Sequence, residues 1–185
     1  MKNGTYHHGN LKAELIEKGL EYIDRYGAES LSMRKLAEAA GVSCGAPYGH
    51  FKNKEACLDS VQEYITGRFS ETLADTAEKC PAKERIMLDL GICYVRFFYE
   101  NPLSYRFLFN GRIADYKTYP PFVFFGKTAK EWLREGGTRH HILALWSMVH
   151  GLAQMVTISG VIDTDDLENE ISNIICSVKV EVNAR

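Results

Sequence analysis

Residues 36–58 read LAEAAGVSCGAPYGHFKNKEACL, and this stretch decides the fold. Leu36, Ala37 and Ala40 recur at helical spacing behind Ser32, a good N-cap residue. Gly41 then supplies the left-handed backbone that ends a helix cheaply. Only Val42 separates Gly41 from Ser43, a second cap candidate, so a short helix to about Phe51 is expected. Small Ala37 lets the two helices approach, and Val42 and Phe51 plug the corner between them. A helix, a tight glycine turn and a second helix at a fixed angle is an arrangement that can enter a DNA major groove.

The pattern continues outward in both directions. Asn10 can cap a first helix carrying Leu11, Leu15, Leu20 and Ile23, which ends at Gly27. Asn53 can cap a long helix through Ala56, Val61 and Tyr64 to the Cys80-Pro81 break. Beyond it, helices are expected over roughly 84–100, 102–110, 120–136, 139–161 and 164–180. The joints are Asn101-Pro102, Tyr119-Pro120-Pro121, Gly136-Gly137 and Asp163-Thr164. No strand alternation and no internal repeat is found. The expected class is all-α: a three-helix helix-turn-helix unit over residues 1–60 and a larger helical body over 61–185.

Composition narrows the function. The chain has 185 residues, 45% hydrophobic and 25% charged, which excludes disordered and low-complexity classes. Its net charge of −2 argues against a protein coated with polyanion over its whole surface. Residues 1–54 carry eight Lys or Arg against six Asp or Glu, whereas residues 55–185 carry fourteen against eighteen. Five scattered cysteines without a CxxC pair read as reduced thiols in a cytoplasmic protein. The first residues lack the apolar run of a signal peptide. Residues 142–162 hold no Asp, Glu, Lys or Arg. Ser147, His150, Gln154 and Thr157 interrupt that run within about 80° of helical arc, so it reads as a core helix and no membrane is expected.

The residues from Leu36 to Leu58 closely resemble the helix-turn-helix of the TetR family of bacterial transcriptional repressors. The matching elements are Ala40-Gly41-Val42-Ser43, Tyr48-Gly49-His50-Phe51 and Lys54-Glu55. The opening Tyr6-His7-His8-Gly9-Asn10-Leu11 is similar as well. Farther on, Trp146-Ser147-Met148-Val149-His150-Gly151 resembles the Trp-His-Gly signature of one C-terminal subgroup. The resemblance implies a homodimer, a double-stranded DNA operator and release by a small ligand. Ser43, Cys44, Gly45 and Ala46 would face base edges or the nearby backbone. Tyr48, His50 and Lys54 would reach phosphates, as would the backbone amides and cations of Met33, Arg34 and Lys35. Gly49 departs from the family pattern, which often has a long side chain there. With Gly45, Ala46 and Pro47 offering no polar reach, base readout would lean on thymine methyls and DNA shape.

Two further sites are expected. Seven of the nine Phe lie between residues 97 and 125, which is either plain core or the wall of a ligand pocket. With the polar stripe beside them, Tyr94, Phe98, Tyr105, Trp146, Ser147, His150 and Gln154 are candidates for an aromatic or amphipathic ligand. Leu167, Ile171, Ile174 and Val178, spaced four, three and four apart, suit a dimer seam; the bland alternative is a seam packed within one subunit. No nucleophile elbow, P-loop, GxGxxG or HExxH motif is present, so no enzyme, cofactor or metal is expected. Cys44 is a small helix residue or a redox sensor. The alternative function is a helix-turn-helix protein that acts through protein partners without operator binding.

Overall fold

A computed structural model describes residues 11–133, 138–159, 162 and 165–178. The fold is all-α, with no strand among the described residues. Eight α-helices follow in order: α1 (Leu11–Tyr26), α2 (Met33–Ala39), α3 (Lys54–Lys79), α4 (Ile86–Glu100), α5 (Pro102–Phe107), α6 (Pro120–Leu133), α7 (Arg139–Gln154) and α8 (Leu167–Ser177). No helix among them is long and apolar enough to cross a membrane. Asn10 lies outside the described residues, as do Gly136-Gly137 and Asp163-Thr164.

Two compact units form. The first reaches Ile65 and takes in Arg106–Arg112; the second comprises Thr66–Tyr105 and the chain from Ile113 on. The sequence divides the chain at residue 60 and assigns nothing downstream to the first unit. Ion pairs account for the difference. Arg106 Nε meets Asp24 Oδ1 at 2.6 Å, and Arg112 meets Asp59 at 2.6 Å and Glu55 at 3.5 Å. The run expected as one helix over 102–110 breaks into a π-type turn, with Gly111 at φ 94°. That turn brings Arg112 onto the carboxylates at the start of α3.

In the first unit, Leu15, Ile16 and Ile23 of α1, Leu36 and Ala37 of α2, and Leu58 and Val61 of α3 are all buried, and α1 packs on α2. Leu11 and Leu20 are half-buried, so the inward stripe is shifted from the one the spacing suggests. Glycine geometry ends both early helices: Gly27 has φ 81° and Gly41 has φ 65°. Ser32 caps α2, accepting from the Lys35 amide at 3.3 Å. Asn53 caps α3, accepting from the Ala56 amide at 2.9 Å.

In the second unit, α4 is the central element, and α6, α7 and α8 all pack on it. Gly91 makes this possible. A β-carbon there would stand 2.8 Å from Ile175 of α8 and 3.3 Å from Val149 of α7. Leu167 and Ile171 of α8 join Val95, Leu152, Val156 and Ile162 in one buried cluster.

Candidate functional site

The turn between α2 and α3 is tighter than expected. Its helical part is a 3-10 segment, Ala46–Gly49, rather than a helix of seven to nine residues. Pro47 explains this, because it has no N–H to give to the Ser43 carbonyl. The bonds that form run mostly three residues back: Ala46 to Ser43 at 2.9 Å and Tyr48 to Gly45 at 3.1 Å. Gly45 and Gly49 lower helix propensity further. Pro47 and Phe51 are buried beneath the turn and hold it by packing.

The predicted DNA-facing residues divide by exposure. Ser43, Cys44, Gly45, Tyr48, Gly49 and His50 are exposed, and Ala46 is half-buried. Tyr48 is 60% exposed although it is a large aromatic. Met33 is different: its side chain is 6% exposed and belongs to the core. It can offer only its backbone amide at the first turn of α2.

Both lysines of the set are engaged locally. Lys35 Nζ donates to the Ser30 carbonyl at 2.9 Å, and Lys54 Nζ donates to the Glu29 carbonyl at 3.0 Å. They brace the α1–α2 connection from two sides. An ammonium has three N–H donors, so Lys35 keeps two for an anion, whereas Lys54 also stands 3.9 Å from the Glu29 carboxylate, an ion pair that an incoming phosphate would have to compete with. Arg34 is exposed and pairs with Glu38 at 3.0 Å, one helical turn on. Lys52 joins this set, although the family motif does not include it. It is exposed between buried Phe51 and the Asn53 cap, and it makes no ion pair among the described residues. The signal was its position, one residue past the Tyr-x-His-Phe motif.

The candidate ligand residues do not stay together. Tyr94, Phe98, Tyr105 and Trp146 are at most 5% exposed. Their rings pack edge to face: Tyr94 on Trp146 at 5.1 Å and Phe98 on Tyr105 at 5.4 Å between centroids. His150 joins them. Tyr94 O–H donates to His150 Nδ1 at 2.9 Å, and the Tyr105 hydroxyl lies 3.5 Å from both Nε2 and the His150 carbonyl. One proton arrangement satisfies the set: Nδ1 accepts from Tyr94, Nε2–H donates to Tyr105, and Tyr105 donates to the carbonyl. Burial lowers the His150 pKa from its ordinary value of 6.5. It raises Tyr105 to about 12.

Ser147 and Gln154 are corrections to the expected pocket. Both are exposed, on the face of α7 away from the rings. Thr157 donates to the Ala153 carbonyl at 2.7 Å and so satisfies its own hydroxyl. The arc of the polar stripe is wide enough that only His150 reaches the aromatic cluster.

The expected dimer seam is also corrected. Ile171 is 0% and Leu167 9% exposed within the single chain. They face α4 and α7, because Gly91 lets α8 sit close. Ile174 is half-buried against the same cluster, and only Val178 is freely exposed, at 51%. The open face of α7 lies elsewhere, along Leu143, Ala144, Ser147, Gln154 and Met155.

A groove in the second unit was not foreseen. It has a volume of about 770 Å³ and lies between the end of α3, the Lys83–Arg85 turn and α6. Among the described residues, no cluster of three His, Cys, Asp or Glu could hold a metal ion.

Comparison with known proteins bears on the first unit most. Residues 15–61 match the model for bacterial regulatory proteins of the tetR family. The chain is 37% identical over 76 residues to the fatty acid metabolism regulator protein of Bacillus subtilis, covering 40% of this chain and 39% of that one. It is 46% identical over 96 residues to the tetracycline repressor protein class G of Vibrio anguillarum, covering 51% and 39%. The matched segments thus span about two fifths of these relatives' length. Among solved structures, the fatty acid degradation regulator of Bacillus halodurans superposes with TM-score 0.73 at 16% identity, covering 92% of this chain and 96% of that one. A TetR-like transcriptional regulator from Rhodococcus sp. RHA1 gives 0.71 at 16%, with the same coverage. At that identity the likeness is one of fold.

Proposed function

We propose that this chain, whose residues 15–61 match the model for bacterial regulatory proteins of the tetR family, is a DNA-binding transcriptional repressor that a small amphipathic ligand releases from its operator. The observation that carries the reading is the exposed row Ser43, Cys44, Gly45, Tyr48 and His50 on a turn anchored by buried Pro47 and Phe51. Solvent-facing aromatic and imidazole groups on a rigid corner have no role in the core. They suit phosphate contacts, with Lys52, Lys54, Arg34, Lys35 and the Met33 amide supplying charge and donors. The near absence of polar reach at Gly45, Ala46 and Pro47 favours readout by shape and thymine methyls.

The protein acts as a homodimer in this reading. Two first units then meet successive major grooves of a near-palindromic site. The open face of α7 is the subunit interface we favour, since Leu143 is 36% and Met155 49% exposed there. Small Ala144, Ser147 and Gly151 between them let a second helix approach closely. The resemblance of Trp146, His150 and Gly151 to the Trp-His-Gly signature supports a place for the second unit in that subgroup, and Trp146 packs on Tyr94 and Phe125 in the aromatic cluster that His150 joins.

The test is selection of fragments of the source genome by the purified full chain, followed by salt-dependent binding to the enriched sequence. Enrichment of one near-palindrome supports the reading. Salt-insensitive binding without enrichment would favour action through protein partners.

A further inference from the structure

On α1, Lys18, Tyr22 and Tyr26 stand four residues apart, and Glu21 and Arg25 form a second row beside them, so the five share one side of the helix. Lys35 and Glu38 of α2 close the other wall of a shallow groove of about 340 Å³. Its centre is aromatic. The rings of Tyr22 and Tyr26 lie 4.7 Å apart between centroids. The Arg25 guanidinium stands 5.9 Å from the Tyr26 ring centre, and Lys35 Nζ stands 5.8 Å from that of Tyr22. Tyr26 is 56% exposed at the end of its helix.

Every carboxylate near this groove already has a cation. Glu21 pairs with Lys18 at 2.8 Å, and Glu38 pairs at 3.0 Å with Arg34, which stands outside the groove. Asp24 is held by Arg106, and Glu29 by Lys54. Glu14 and Glu17 act on Lys18, at the far end. Arg25 and Lys35 keep no carboxylate partner among the described residues, so the Tyr26 end of the groove is positive. That end is continuous with the recognition turn. Lys35 Nζ holds the Ser30 carbonyl and Lys54 Nζ holds that of Glu29, so both grip the same α1–α2 connection. In three-helix folds of the homeodomain kind, the loop between the first two helices rests on the DNA backbone.

We propose that Tyr22, Arg25 and Tyr26 of α1 form, with Lys35, a second phosphate-binding surface that grips the DNA backbone beyond the contacts of the recognition turn. It rests on the DNA-binding reading above. The Arg25 guanidinium offers a planar fork of donors to one phosphate, and the Tyr26 ring beneath it limits the side-chain freedom lost on binding. Lys35 and the two tyrosine hydroxyls supply further donors beside it. None of these groups is placed to read bases, so the surface adds affinity and fixes register without adding sequence preference.

The test is binding of the purified full chain, across a salt series, to two duplexes of equal length: the genome-selected sequence and a random one. Arg25→Gln should weaken both by about tenfold, the scale set by two exposed charge contacts in a dimer. Its slope of log affinity against log salt should be shallower by about one unit per subunit. Lys18→Gln should change neither, because Glu21 already matches that charge. In ethylation interference on the selected duplex, Arg25→Gln should become insensitive at phosphates other than those that Tyr48→Ala loses. An Arg25→Gln protein that binds both duplexes as wild type does, at every salt concentration, overturns the proposal and leaves the surface to a protein partner. Insensitivity at the same phosphates as Tyr48→Ala overturns it as well, since the effect then passes through the turn. Wild-type protein that binds neither duplex overturns the DNA-binding reading itself, a result distinct from failure of the Arg25 variant alone.

Discussion

The hydroxyl of Tyr94 donates to Nδ1 of His150 at 2.9 Å, joining α4 to α7 through a polar bond inside an aromatic cluster. Tyr94 is 0% exposed, so its hydroxyl has no water to fall back on. His150→Phe keeps a ring of similar size but removes the acceptor. It should destabilise the protein by about 1–3 kcal/mol, the cost of leaving a buried donor unmade. Denaturant unfolding checks this. A Tyr94→Phe, His150→Phe pair should recover part of the loss, because both polar partners are then gone.

The same histidine gives stability a pH dependence. Burial lowers its folded pKa below the ordinary 6.5. The unfolded chain therefore binds the proton first, and stability is full above about pH 6.5 and falls as pH drops below it. Thermal unfolding between pH 5 and 8, a range about centred on the imidazole's ordinary titration, should show this decline. His150→Gln should flatten that part of the profile.

Gly91 sets how closely α8 and α7 lie on α4. A β-carbon would come within 2.8 Å of Ile175. Gly91→Val should cost about 1–3 kcal/mol through overpacking. Adding Ile175→Ala makes room and should return some of it. Full additivity of the two losses would contradict the packing described.

Ile171 and Ser147 separate folding from association. Ile171 is wholly buried in its own chain, so Ile171→Glu should unfold the protein. Ser147 is exposed on the open face of α7, so Ser147→Arg should leave helicity intact and give monomers in sedimentation. A dimeric Ser147→Arg protein places the interface elsewhere.

Local chemistry was legible in the sequence, and partner choice was not. Ser32, Asn53, Gly27 and Gly41 act within a few residues of themselves, so their caps and turns could be read directly. Pro47 had the same local character, yet its missing N–H was given too little weight against the helical pattern around it. The inward face of α8 depends on Gly91, some eighty positions earlier, which no spacing within α8 announces. α7 has two faces apolar enough to bury, and only packing decides that His150 turns inward while Ser147 and Gln154 do not. Arg106 on Asp24 and Arg112 on Asp59 are likewise pairings between distant segments, which is why the first unit's extra piece went unread.

The most direct measurement is the affinity of the full chain and of Tyr48→Ala for the genome-selected duplex, across a salt series. Tyr48 is 60% exposed, so its removal should leave stability unchanged. Wild type should bind one near-palindromic sequence with an affinity that falls steeply as salt rises. Tyr48→Ala should weaken that binding by about tenfold, or ~1.4 kcal/mol, as expected for a hydrogen bond to a charged phosphate. Equal affinity of the two proteins at every salt concentration would contradict a DNA-facing role for this turn, and with it the reading of the chain as an operator-binding repressor.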